Sequence, residues 1–247
     1  MKWSSEQSLR LLARQIFNHM KEITTNLLIA MGDTHGNWGA CIETLQEYYI
    51  RDAVVLHVGD VGIGFLPKET QEDILESLNH ELAERNVRMF CIRGNHDDPQ
   101  YFSGEYEYSN IVLLADYSKM LINGKKFLFV GGAISIDRIM RTPNKSWWSD
   151  EVFVLDESRA EKCDVLITHT APNWIGPIDK IGIGWYTERD PNLWEECCAE
   201  RLTMNRLIEI TEPDQHFCGH FHRSESAVND KCISRILNEN EICEIIL

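Results

Sequence analysis

Positive charge is scarce in this 247-residue sequence: 24 Lys and Arg stand against 39 Asp and Glu, a formal net charge of −15. A surface of that sign repels a phosphate backbone over most of its extent, which argues against a nucleic-acid partner. A small phosphorylated substrate is still compatible with it, provided local positive charge receives the phosphate. No apolar run reaches the roughly 18 residues that crossing a bilayer requires, so no membrane partner is expected. Among the 8 cysteines there is no C-x-x-C pair, and zinc-finger and disulfide-scaffold readings fall away. Cys91, Cys163 and Cys218 sit in apolar runs, where a reduced thiol behaves as a small hydrophobe. A cytoplasmic location is the natural expectation for such cysteine usage.

No secretory signal is expected either, since residues 1–26 hold no continuous apolar block. Leu9, Leu12, Ile16, Met20 and Ile23 recur instead at steps of three and four, and Ser4 with Gln7 forms a capping box. The pattern predicts an amphipathic helix within an N-terminal extension covering residues 1–26. No linker, repeat or low-complexity segment divides the rest, so 1–247 reads as one domain.

What the sequence has in abundance is short apolar runs that end in a polar residue. Residues 27–31 run into Gly32-Asp33, and residues 53–58 into Gly59-Asp60. Residues 87–92 lead to Gly94-Asn95-His96, residues 164–168 to His169, and residues 215–218 to Gly219-His220. Helical patterns near 38–50 and 69–86 separate the first three, the βαβ signature of a largely parallel sheet. Ligands of such sheets sit beyond the carboxyl ends of the strands. The second half adds an Asn123-Gly124 hairpin, a helix over 193–210, and a closing hairpin of 232–237 with 242–247. Hairpins added to a parallel core predict a mixed sheet or two packed sheets.

Asp33, His35, Asp60, Asn95, His96, Asp97, His169, His220 and His222 all fall at these strand ends. Each is a metal-ligand or proton-transfer type. Oxygen and imidazole donors suit Mn, Fe, Zn and similar divalent ions, and thiolates are missing from the set. Seven such ligands exceed one closed tetrahedral site and suit two adjacent sites that share a carboxylate. Two metals roughly 3.5–4 Å apart clamp both the attacking and the leaving oxygen in phosphoryl chemistry.

In order and wording, Gly32-Asp33-Thr34-His35-Gly36, Gly59-Asp60, Gly94-Asn95-His96-Asp97, Thr168-His169 and Gly219-His220-Phe221-His222 resemble the calcineurin-like metallophosphoesterase superfamily. The resemblance implies an α/β fold, an αββα sandwich of two mixed β-sheets flanked by helices. It implies two divalent cofactor ions, Mn foremost, with Fe, Zn, Ni or Co as alternatives. By position, Asp33, His35 and His222 would hold the first, Asn95, His169 and His220 the second, and Asp60 would bridge. The family's chemistry implies a metal-held hydroxide as nucleophile, His96 as general acid, and Asp97 orienting the His96 ring. The Asp-Arg that protein phosphatases of this superfamily carry after the second block is missing here, where the chain reads Gly59-Asp60-Val61-Gly62. Both monoesters and diesters are therefore open.

Two long loops, Gly132–Asp150 and Asn173–Asn192, remain. The first carries Arg138, Arg141 and Lys145 among Trp147 and Trp148, and Arg138, close behind Gly131-Gly132, is the expected phosphate cation. Trp147 and Trp148 would bind the organic part of the substrate, with loop anchoring as the plain alternative. The expected function is dinuclear-metal hydrolysis of a small phosphate ester. A nuclease-type diesterase and a catalytically silent scaffold are the competing readings.

Overall fold

The computed structural model describes residues 22–247 apart from residues 105, 107, 178 and 181. The helix expected over the N-terminal extension lies mostly outside these residues. Its last part is corrected: Glu22–Ile23 form a short strand, β1, parallel to β6 (Ser118–Ile122).

Strands β2 (Leu28–Met31), β3 (Ala53–His57) and β4 (Val87–Cys91) pair in parallel and are joined by helices α1 (Trp38–Glu47) and α2 (Lys68–Glu84). The strand residues are almost all buried, as expected of parallel strands covered on both faces. Helix α1 starts where the Asn37 side chain accepts the Ala40 N–H at 3.2 Å. Helix α2 buries Gln71, Leu75, Leu78 and Leu82, a stripe at steps of four, three and four. With β5 (Ile111–Leu113) and β12 (Ile242–Glu244) these strands make a five-stranded sheet, ordered β12-β2-β3-β4-β5.

The second sheet has seven strands ordered β1-β6-β7-β8-β9-β11-β10. It contains β7 (Lys125–Val130), β8 (Val165–Thr168), β9 (Gln215–Cys218), β10 (Glu225–Asn229) and β11 (Cys232–Ile236). A four-residue helix α3 (Gly184–Thr187) and the long α4 (Leu193–Thr211) precede β9. Alternation along the strands sorts the core into layers. Leu28, Val54, Leu56 and Phe90 of one sheet meet Phe127, Phe129, Val165 and Ile167 of the other. The opposite faces carry Met31, Val55 and Met89 under α1 and α2, and Leu128, Val130 and Leu166 under Met204 and Leu207 of α4. The order is helix, sheet, sheet, helix, the αββα sandwich anticipated.

The expected closing hairpin does not form. β11 pairs with β9 and β10, whereas β12 crosses to the other sheet and pairs antiparallel with β2. The segment between is captured by the first ligand loop: Asn240 N–H donates to Asp33 O, and Gly32 N–H to Glu241 O, both at 2.9 Å. The hairpin here is β10–β11, turning at Asp230-Lys231.

Candidate active site

Parallel strands leave their C-terminal carbonyls and the following loop on one edge. The loops after β2, β3 and β4 bring Asp33, His35, Asp60 and Asn95 to that edge. Those after β8 and β9, in the other sheet, bring His169, His220 and His222. The two halves interlock. Asp33, His35, Asp60 and His222 present ligand atoms all within 4.8 Å of one another, as do Asp60, His169 and His220. Asp60 belongs to both groups. Asn95 Oδ1 joins the second, 3.0 Å from His169 Nε2 and 2.8 Å from His220 Nδ1.

The glycines of the motifs make this convergence possible. A Cβ on Gly94 would overlap Asp60 Oδ1, and one on Gly219 would overlap Asp33 Oδ1.

Three features fit divalent cations. His35 Nε2 and His222 Nε2 face each other at 2.9 Å, a spacing at which neutral rings can offer one proton at most. Asp33 Oδ1 is buried with no hydrogen-bond partner, although buried carboxylate oxygens ordinarily have one. The donors are carboxylate, amide and imidazole, the set that suits Mn, Fe or Zn. Electrostatics agree that the cluster is unbalanced as it stands. Burial raises the Asp33 pKa, although His222 and His169 pull it down. Burial works against the Asp60 charge as well, yet His169 and its neighbours hold that carboxyl well below the usual range.

Surrounding residues fix the ligands. Asn95 Nδ2 donates to Ser135 Oγ at 3.0 Å, which turns Oδ1 toward the two histidines. His169 Nδ1 lies 2.8 Å from Val58 O, which leaves Nε2 for the cluster. Ser135 N–H in turn donates to Glu151 Oε1, which also accepts the Trp147 indole N–H. Ser135 and Glu151 escape a sequence reading because neither sits in a motif.

His96 lies beside Asp60, whose Oδ1 accepts the His96 backbone N–H at 2.7 Å. Its ring makes an edge contact with His35 and stacks at 6.4 Å on Phe65. Burial lowers its pKa to about 4, with Asp60 pulling up and Arg141 pushing further down. Asp97 is placed otherwise than expected. Its carboxylate accepts backbone N–H groups from Val61, Gly62, Ile63 and Gly94, and no described hydrogen bond joins it to His96. It ties the loop after β3 to the loop after β4.

Arg138 is not brought to the cluster. Its guanidinium donates to Asp190 at 2.6 Å and Glu196 at 2.5 Å, so both neighbours already neutralise it. Arg141 stands there instead: its Nη2 contacts both His96 ring nitrogens, 2.9 Å from Nδ1, and its Nε pairs with Asp137. The tryptophans support the loop. Trp148 is buried edge-on against Phe65, and Trp147 is tied to Glu151. Neither lines the cavity of about 430 Å³ that opens beside Asp60, Asn95, His96, His220 and His222. Of the remaining histidines, His57 and His216 are buried within strands, and burial pushes each pKa down to about 3.

Paired oxygen and imidazole clusters at the edge of an αββα sandwich form a candidate centre for two metal ions. The chain belongs to the calcineurin-like phosphoesterases, whose family model matches residues 27–224. Over 115 residues it is 31% identical to the DNA double-strand break repair protein Mre11 of Methanocaldococcus jannaschii. That match covers 47% of this chain and only 30% of the relative. Among solved structures, phosphopantetheinyl hydrolase of Mycobacterium tuberculosis is 12% identical with a TM-score of 0.47, covering 91% of this chain and 96% of that one. An archaeal phosphodiesterase is 14% identical with a TM-score of 0.39, covering 89% and 99%. Among the described residues, no helix is long and apolar enough to cross a membrane.

Proposed function

We propose that this chain hydrolyses small phosphate esters with two divalent ions, Mn foremost. Asp33, His35 and His222 hold one ion, Asn95, His169 and His220 the other, and Asp60 lies between. The observation that carries this reading is the pair of ligand groups with Asp60 in common. When bound, the ions supply Lewis acidity, which withdraws charge from phosphoryl oxygens and acidifies water.

The chain supplies the rest. Arg141 meets a phosphate oxygen at the His96 edge and holds the ring through its Nη2. His96 gives its proton to the departing oxygen. Burial and Arg141 oppose the charged His96 ring while Asp60 favours it, and a negative phosphate beside it adds to the pull that charges it. Asp97 keeps the two ligand loops in register through four backbone N–H groups. Ser135 aims Asn95.

The relative in DNA repair favours a second reading, a diesterase acting on nucleic acid. The net charge of −15 and the salt-bridged Arg138 favour the first. Chelator-treated protein reloaded with Mn, Fe, Zn, Ni or Co should hydrolyse nitrophenyl phosphate or bis-nitrophenyl phosphate faster than it cleaves oligonucleotides at moderate salt. Asp60→Asn should abolish the metal-dependent rate. No metal-dependent turnover of any ester would overturn the proposal, and faster cleavage of DNA would select the second reading.

A further inference from the structure

The geometry points to a leaving group of a particular chemistry: bulky, largely apolar or aromatic, and without negative charge. This rests on the phosphoesterase reading above and concerns the same cavity. That space of about 430 Å³ is lined by the ligand residues Asp60, Asn95, His220 and His222 with His96. The same space is also lined by Ile136, Pro177, Ile183, Tyr186, Trp194 and Phe221. An ester whose phosphorus sits at the ligands therefore directs its alcohol side into this wall, because His96 belongs to the same cavity. The volume is that of a small-molecule pocket.

Charge narrows the class further. Asp137, Asp179 and Glu200 outnumber the single arginine, Arg201, among the described lining residues. Arg201 lines the pocket with its terminal nitrogens on backbone carbonyls and its Nε buried without a hydrogen-bond partner. It donates to the carbonyls of Pro172, Ile175 and Pro177 and lies 5.2 Å over the Phe221 ring. Arg138, on the same short turn as Arg141, is held by Asp190 and Glu196. A second phosphate or a carboxylate on the leaving group would meet a lining that is mostly apolar and that, among the described residues, holds more carboxylates than guanidinium or ammonium groups. Aromatic rings and aliphatic chains meet Trp194, Tyr186 and Phe221, which favour stacking. Polyphosphates, acidic sugars and polymeric nucleic acid are disfavoured by the same wall.

The test separates pocket from chemistry. Ethylphosphonate, 2-(1-naphthyl)ethylphosphonate and 5-carboxypentylphosphonate, none of them hydrolysable, are titrated into Mn-loaded protein by calorimetry. The naphthyl compound should bind at least tenfold tighter than ethylphosphonate, and the carboxylate no tighter than ethylphosphonate. Trp194→Ala and Cys198→Phe, one removing the wall and the other filling the space, should each lower the naphthyl-to-ethyl ratio at least fivefold. Equal affinity of the three compounds, or ratios unchanged in both variants, would overturn the inference. In parallel, kcat/KM is compared for ethyl and 2-(1-naphthyl)ethyl phosphate, alcohols of similar basicity, as monoesters and as methyl diesters. Turnover with a flat ratio refutes the pocket alone. Tight, size-selective binding without any turnover refutes the hydrolase reading and leaves the pocket standing.

Discussion

At the scale of the single residue, the division of labour between His96 and its neighbours makes the sharpest expectations. His96→Ala should leave metal content near that of the parent while lowering turnover by roughly 10²–10⁴. The loss should shrink for nitrophenolate, which leaves without protonation, and an equal loss on poor and good leaving groups would remove His96 from the role of acid. Arg141 and Arg138 should separate as well. Arg141→Ala removes the guanidinium that contacts His96 and should cost about 1–3 kcal/mol in kcat/KM. Arg138→Ala breaks two ion pairs to Asp190 and Glu196 and should act on loop stability, read as protease sensitivity of residues 132–150. The two arginines are three positions apart on one short turn, Arg138–Met140 with Arg141 at its end. Which of them faces the cluster depends on carboxylates some 50 residues away in the chain, and a sequence does not display that pairing. The strand-end ligand types were legible because a parallel sheet sends every such residue to the same edge.

At the scale of the element, the long loop after β7 is held by buried polar groups rather than by secondary structure. Arg93 donates to Asp116 and to the carbonyls of Asp150, Glu151 and Val152. Glu151 then holds Ser135 and Trp147. Burial raises the Glu151 pKa to about 7, against the pull of Ser135. The folded protein therefore keeps a proton that the unfolded chain has lost above its ordinary value near 4.5. The Glu151 contribution to stability should fall as pH rises between about 4.5 and 7 and then level, by an amount on the order of 1–3 kcal/mol. Glu151→Gln keeps a carbonyl oxygen for both donors and should flatten that slope in urea denaturation at pH 5, 6, 7 and 8; an unchanged slope would assign it to another group. The main strands and helices were legible from their periodicity, since each is long enough to show it. β12 was misread as a hairpin partner because its pairing is decided by Gly32 and Asp33, two hundred residues upstream, and not by the turn chemistry of Asn238–Asn240.

At the scale of the whole molecule, the cluster draws Asp33, His35, Asp60 and Asn95 from one sheet and His169, His220 and His222 from the other. Bound ions would add to the apolar layer in joining the sheets. Stripping metal should therefore lower Tm. At one hundred times Kd the linkage is about 2.7 kcal/mol, or roughly 5–10 °C for a chain of this size. Calorimetry with and without chelator reads it, and an identical Tm would show that the ligands are not preferentially held in the folded state. Phe129→Ala, in the layer between the sheets, should cost about 3–5 kcal/mol.

That same division between sheets sets an order in time. During synthesis Asn95 emerges well ahead of His169, by 169 − 95 = 74 residues, which at about 5–20 residues per second is roughly 4–15 s. Through that interval a nascent chain owns the carboxylates and the amide but none of the late imidazoles. It can attract a hard, loosely held cation and release it again, while the borderline ions that prefer nitrogen find little to grip. Lasting retention of a metal would then wait for His222, the last of the candidate ligands to leave the ribosome.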